Sequence, residues 1–172
     1  MCIIIDTNTL ASVFESSSKG HDEFKPVLDW IINGNGKVVY GGTKYISEIK
    51  KYYAIFAELR KVRRAILVDN NMVDKYAHEA GNKISHSDFD DQHIVGLLLS
   101  SKCKLVCSQD KRAYPYFTHK LFFNSNRNKP KIYRGRTNAS LLSDQNIVAI
   151  CKPCGSSKNS HKHILNLILN NK

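Results

Sequence analysis

Apolar and polar positions fall into two kinds of block along this chain. Short apolar runs without helical spacing read as buried strands: Cys2 to Ile5, Lys37 to Tyr40, Ala65 to Val68 and Leu105 to Cys107. Longer segments repeat an apolar residue every three or four positions and read as helices. Residues 22–32 carry Phe24, Val27, Leu28, Ile31 and Ile32, and Gly34 and Gly36 stop them. Gly41-Gly42 ends the second strand. Thr43 is placed to cap a helix bearing Ile46, Ile49, Tyr53, Phe56 and Leu59, which continues with a break through Val62. A weaker helix covers residues 70–82. Ser87 with Asp90 resembles a capping box ahead of a helix carrying Ile94, Val95, Leu97, Leu98 and Leu99. A short helix follows Asp110, and Leu121 to Phe123 reads as a fifth, edge strand.

Strands alternating with helices over residues 2–123 predict an α/β fold with a parallel sheet and right-handed crossovers. Residues 124–137 are polar, basic and non-periodic, and read as a linker or flexible arm. The extension 124–172 ends in an amphipathic helix capped by Ser160, with Ile164, Leu165, Leu167, Ile168 and Leu169 on its apolar side. That side needs a partner, either the domain itself or a second copy in a homodimer.

At 172 residues and 42% apolar composition, the chain suits one domain with an appendage. No apolar stretch approaches the roughly 20 residues of a membrane span, and no basic region leads into a long apolar segment at the N-terminus. A cytoplasmic protein without membrane contact is the expectation. The five cysteines are odd in number and three lie in or beside apolar strands, which favours buried thiols over a disulfide framework. The net charge of +11 is unevenly spread. Residues 122–172 hold nine Lys/Arg against one acid, a net +8, while residues 1–121 hold seventeen against fourteen, a net +3. Such a basic segment suits a polyanion; a solvated lysine-rich surface is the plainer reading.

Four acids sit where apolar elements begin or end: Asp6, Glu48, Asp91 and Asp110. Functional groups of open parallel sheets gather beyond the carboxyl ends of the strands, so all four can face one crevice. Two carboxylates about 6 Å apart repel by roughly 3 kcal/mol at an effective dielectric of about 20. Several such pairs compete with the stability of a whole domain. The cluster must bind cations, pair with Lys or Arg, or take up protons. Oxygen-only ligation favours Mg²⁺ or Mn²⁺ over zinc, and either ion suits phosphoryl chemistry. Each acid also has a plain role. Asp90 and Asp91 suit a helix N-terminus, Asp110 suits a cap, and Glu48 can pair with Lys51 or Lys44. His93, on the helix after Asp91, reads as a structural or solvated helix-face residue.

With these residues in view, the chain resembles a PIN-domain ribonuclease. The resemblance is carried by Ile3-Ile4-Ile5-Asp6-Thr7-Asn8, by Tyr45-Ile46-Ser47-Glu48-Ile49, by Asp90-Asp91-Gln92-His93-Ile94-Val95-Gly96-Leu97 and by Leu105-Val106-Cys107-Ser108-Gln109-Asp110. It spans residues 2–123 and implies a three-layer α/β/α fold. It also implies divalent-metal-dependent cleavage of RNA, as in VapC-like toxins that pair with an antitoxin protein. Asp6, Glu48, Asp91 and Asp110 would be catalytic metal ligands, with Asp90 and Asp88 as further candidates. Asn8 and Ser108 would orient carboxylates or water. Haloacid-dehalogenase-like phosphatases also begin with a strand and an aspartate, but they need a second aspartate where this chain has Asn8.

Two further patterns lie in the extension. Arg127, Lys129, Lys131, Arg134 and Arg136 interleave with Tyr133, so that cations can follow phosphates while the aromatic stacks on a base. Cys151-Lys152-Pro153-Cys154 with His161 and His163 offers four candidate zinc ligands, at a spacing shorter than in common zinc fingers. The functional expectation is a metal-dependent endoribonuclease. The alternative is a non-catalytic RNA-binding or partner-binding module on the same fold.

Overall fold

The computed structural model describes residues 2–143 and 148–155. β1 (Cys2–Ile5) is buried at every residue, because four apolar side chains in succession leave no face for water. It pairs in parallel with β2 (Lys37–Tyr40), which pairs in parallel with β3 (Ala65–Leu67). On its other side β1 pairs in parallel with β4 (Leu105–Cys107), and β4 with β5 (Lys131–Tyr133). The sheet order is therefore β3-β2-β1-β4-β5, all parallel. The direction of winding reverses between β1 and β4, which opens a crevice beyond their carboxyl ends.

Helices cover both faces, giving three layers. α1 (Leu10–Phe14) packs with α2 (His21–Ile32), ahead of β2. Between β2 and β3 run α3 (Thr43–Glu48) and α4 (Tyr53–Lys61), separated by a 3₁₀ turn at Lys50–Tyr52. The single helix expected from Thr43 to Leu59 is thus broken at Lys50–Tyr52, and α3 ends at Glu48. α5 (Asn70–Lys83) and α6 (Gln92–Ser101) form the most extensive helix pair and lead into β4. α7 (Tyr114–Phe117) is a single turn. No helix among the described residues is long and apolar enough to cross a membrane.

Several local expectations are corrected. Leu121 to Phe123 is not a strand; Leu121 is exposed and the edge strand is Lys131–Tyr133, in register with Leu105–Cys107. The stretch 124–137 is therefore not a free linker, and the sheet runs past residue 123. Its pairing partner is buried β4, whose open edge needs backbone partners more than the segment needs apolar residues. Thr43 does not cap α3; it is the first helical residue, and its N–H and hydroxyl both donate to Asp74. Ser87 and Asp90 form no capping box, since α6 begins at Gln92. The terminal helix capped by Ser160 lies outside the described residues.

The cysteine expectation is also corrected. Cys2 and Cys151 are paired as a disulfide, while Cys103 and Cys107 keep buried thiols and Cys154 keeps a partly buried one. The pairing joins the start of β1 to a 3₁₀ turn at Ala149–Cys151. Burial near one sulfur of a thiol from the far end of the chain is invisible to residue spacing.

Gly96 sets the close approach of α5 and α6. A Cβ there would meet Val73 O at 2.5 Å and Ala77 N at 2.8 Å, both backbone atoms that cannot step aside. Gly96→Ala is expected to destabilise the fold by about 1–3 kcal/mol, measured by urea unfolding. A variant as stable as wild type would show that the two helices separate without cost.

Candidate active site at the carboxyl edge of the sheet

β1 ends in Asp6, whose N–H continues the sheet by donating to Cys107 O at 2.9 Å. Its side chain is fully buried. One oxygen accepts from Ser108 Oγ at 2.6 Å and the other from the Asn8 N–H at 3.2 Å. Burial raises the Asp6 pKa above the ordinary carboxylate value; Ser108 and Asn8 oppose that shift, and the charges of Asp110 and Glu48 add to it. Ser108 Oγ also accepts from the Asp110 N–H at 3.1 Å, so one hydroxyl ties Asp6 to the turn carrying Asp110. Ser108 thus reaches the Asp6 carboxylate through its side chain, whereas Asn8 does so through its backbone.

The other acids reach the same rim in different electrostatic states. Glu48 accepts from Thr7 Oγ1 at 2.7 Å, lies 3.1 Å from His93 Nε2 and lies 3.9 Å from Lys44 Nζ. Of the two lysines considered for it, Lys51 pairs instead with Glu15, at 2.6 Å. Asp110 is gripped by Arg112, with Nη2 at 2.9 Å from one oxygen and Nε at 3.2 Å from the other. That grip holds its carboxyl below the usual range. Asp91 occupies the N-cap position of α6 yet makes no side-chain cap bond, so helix capping does not account for it. It is 7% exposed, and while its carbonyl accepts from the Ile94 N–H at 3.0 Å, its carboxylate accepts no hydrogen bond from the described residues. Burial, then the charges of Asp6 and Asp90, push its pKa up to about 7.

A cleft of about 390 Å³ is lined by Thr7, Asn8, Lys44, Glu48, Asp90 and Asp91; Asp6 and Asp110 do not line it. Asp90 is exposed there, and its carbonyl accepts from Lys44 Nζ at 2.8 Å. Asp88 is exposed beside His86 and does not line the cleft. A larger cavity of about 590 Å³ lies where β4 begins, and no acid lines it.

Of the structural and solvated readings of His93 the fold takes the first, burying it against Glu48. Burial lowers its pKa to about 4, so the ring is neutral at pH 7. Neither its Nδ1 nor its Nε2 has a well-aligned hydrogen-bond partner among the described residues, despite the 3.1 Å approach of Nε2 to Glu48, a costly state for buried polar atoms. Its place two residues after Asp91 was the available signal. Thr7 and Arg112 are the other contributors that residue type alone did not single out, while Lys44 stands near Glu48 as one of its two candidate partners.

The donor set, carboxylates without sulfur, fits a hard divalent cation. The excess of acid over local cations, and an Asp91 with no donor, fit one too. Among the described residues, however, no three His, Cys, Asp or Glu side chains close on one point. Asp110 is turned to Arg112 and Glu48 to Thr7 and His93, so the fold brings the expected ligands to one rim without closing them into a coordination shell.

The extension is placed differently from expectation. Tyr133 is fully buried, donates to Glu23 O at 2.9 Å and packs edge-on against Phe24, so it cannot stack on a base. Arg136 is tied to α2 through Asp22 O and the Glu23 carboxylate. Lys129, Lys131 and Arg134 remain exposed along β5, lining a groove of about 530 Å³ with Tyr114 and Thr118. Tyr114 donates to Ser108 O at 2.8 Å, which joins this groove to the acidic rim. Arg127 is exposed. The zinc set is corrected too: Cys151 is committed to Cys2, and Cys154 Sγ donates to Cys151 O. His161 and His163 lie outside the described residues.

Comparison with known proteins found no matching family model, no matching curated protein and no matching solved structure.

The shifted acid has a measurable consequence. Asp91 prefers its proton in the folded state, so its contribution to stability falls as pH rises from about 4 to about 7. His93 acts in the opposite sense, costing stability as pH falls from 6.5 towards about 4. In chelator at pH 8, Asp91→Asn should be more stable than wild type by on the order of 2–4 kcal/mol. The gap should narrow at pH 5. Equal urea midpoints at pH 8 would show that the carboxylate is not under electrostatic stress.

Proposed function

We propose that this chain is a divalent-metal-dependent endoribonuclease of the PIN type. Asp91 carries the reading: a buried carboxylate, facing Asp6 and Asp90, with no donor of its own. A fold under no functional demand replaces such a group by a neutral one, because burying like charges costs stability. Its position beside the winding reversal of a parallel sheet supports the same conclusion.

Each residue then has a role set by its contacts. Asp6, oriented by Ser108, and Asp91 would hold Mg²⁺ or Mn²⁺, with Glu48 and Asp110 completing the negative rim. When bound, the cation supplies a Lewis acid for phosphodiester hydrolysis. With its pKa raised to about 7, Asp91 is only partly ionised at neutral pH, and a cation held in the cleft would favour its ionised form. Arg112 balances Asp110 until a polyanion competes for its guanidinium. Lys129, Lys131 and Arg134 would guide the RNA strand toward the rim. A cytoplasmic toxin countered by an antitoxin protein is the setting that fits this activity.

Two experiments test the reading. Single-stranded RNA should be cleaved with Mn²⁺ or Mg²⁺ and left intact in EDTA, and Asp6→Asn or Asp91→Asn should each slow cleavage by about 100-fold or more. RNA that is bound but never cut, whatever the metal, would make the chain a binding module instead. Replacing Lys129, Lys131 and Arg134 with Ala should weaken RNA binding and flatten its log–log salt dependence by about 2. An unchanged slope would remove these three cations from the RNA path.

A further inference from the structure

The edge of the sheet where the strands begin holds a second cavity, different in character from the acidic cleft. Its volume is about 590 Å³, and it lies among the end of α6, the residues leading into β4 and the 3₁₀ turn at Ala149–Cys151. Leu98, Leu99, Phe122, Phe123, Val148 and Ile150 give it apolar walls. Its size and its mostly apolar lining with a few polar groups are those of a small-molecule site. One wall is built into the fold. Cys151, which follows Ile150, is joined to Cys2 at the start of β1. Lys37 Nζ, on β2, donates to Pro153 O at 2.7 Å, and Arg64, just before β3, donates through Nη2 to Gly155 O at 2.7 Å. The segment forming that wall is thus tied to three strand starts.

Positive charge marks the same cavity. Lys102 and Lys104 both line it, no acid does, and among the described residues neither lysine pairs with an acid. The plain role for Lys102 is to complement the C-terminal end of α6, where a cation is favoured. Its backbone asks for more. Lys102 has φ +56°, in the left-handed region that glycine adopts freely and a lysine does not. Glycine would end α6 with less strain, so what lysine adds at this position is its side chain. The two serines on the walls are already engaged, since Ser100 and Ser101 both donate to Leu97 O.

We propose that this cavity binds an apolar carboxylate, an acyl chain ending in one anionic group, with the chain against Leu98, Leu99, Phe122 and Ile150 and the carboxylate at Lys102 and Lys104. Burial of the chain supplies affinity, and the two cations select the charge. A nucleotide suits the walls less well. Its sugar hydroxyls and base amino groups need acceptors, and no carboxylate lines the cavity to receive them. An uncharged chain leaves both lysines unanswered. The cavity shares no lining residue with the acidic cleft. The two lie at opposite ends of α6, which begins after Asp91 and ends at the cavity. Binding here is therefore independent of the ribonuclease reading.

Displacement of anilinonaphthalene sulfonate, an apolar anion that fluoresces in such sites, tests the assignment. Full-length protein purified without reductant is titrated with decanoate, with decanol and with adenosine monophosphate. Decanoate should displace the dye, and the other two should bind about tenfold more weakly or worse. Lys102→Gly, which relieves the left-handed backbone, should unfold at no lower urea concentration than wild type, a result that a merely structural lysine would not give. Combined with Lys104→Gln, it should weaken decanoate binding by about tenfold or more. Ala149→Trp, which fills the cavity, should abolish it. Dye that decanoate fails to displace, or that decanol or the nucleotide displaces as well, overturns the assignment. So does unchanged decanoate affinity in the double lysine variant or in Ala149→Trp.

Discussion

The parallel pairing of β1 with β4 is the contact on which the candidate site rests. Ile4 faces Val106 and Ile5 faces Cys107, and the Asp6 N–H extends that ladder by one bond to Cys107 O. The register puts Ser108 against the Asp6 carboxylate and carries Asp110 to the same rim. All the flanking strand residues are buried, so a slip of one position would turn core side chains outward. Hydrophobic burial therefore fixes the position of a charge that hydrophobic burial disfavours.

That conflict explains the unequal states of the acids. Asp6 is satisfied by two hydrogen bonds, Asp110 by a guanidinium, and Glu48 by a hydroxyl. The Asp91 carboxylate receives no donor, and burial beside like charges raises its pKa to about 7. A rim that distributes its counter-groups in this way is stable when empty and still has negative charge to offer a cation. His93 adds to the tension, because its unpartnered Nδ1 and its nearness to Glu48 do little for stability alone. In the proposed nuclease, such frustrated groups sit where sites tend to keep them.

The two edges of the sheet have opposite chemistry. Acids collect where the strands end, while Lys37, Arg64 and the Cys2–Cys151 disulfide collect where they begin. Between them, β1, β2 and β4 are buried at every residue. β5 belongs to both: its pairing with β4 completes the sheet, and its exposed Lys131 faces the basic groove.

Strand and helix order was readable from the chain because burial imposes period and run length on residue choice. Runs such as Cys2 to Ile5 admit no reading but a buried strand, and the placement of Asp6 at its end follows from that alone. The acids were legible as a set because a parallel sheet sends strand ends to one side. Other features had no local signal. Lys131-Ile132-Tyr133 is too short and too polar to announce a strand; only the open edge of β4 makes it one. The buried state of Tyr133, the choice of Arg112 as partner for Asp110, the seat of His93 against Glu48 and the joining of Cys2 to Cys151 each depend on residues distant in sequence or on the direction of a side chain. Periodicity along the chain determines which residues leave water, and tertiary packing decides which of them meet, because contact depends on the register of paired strands rather than on spacing within any one of them.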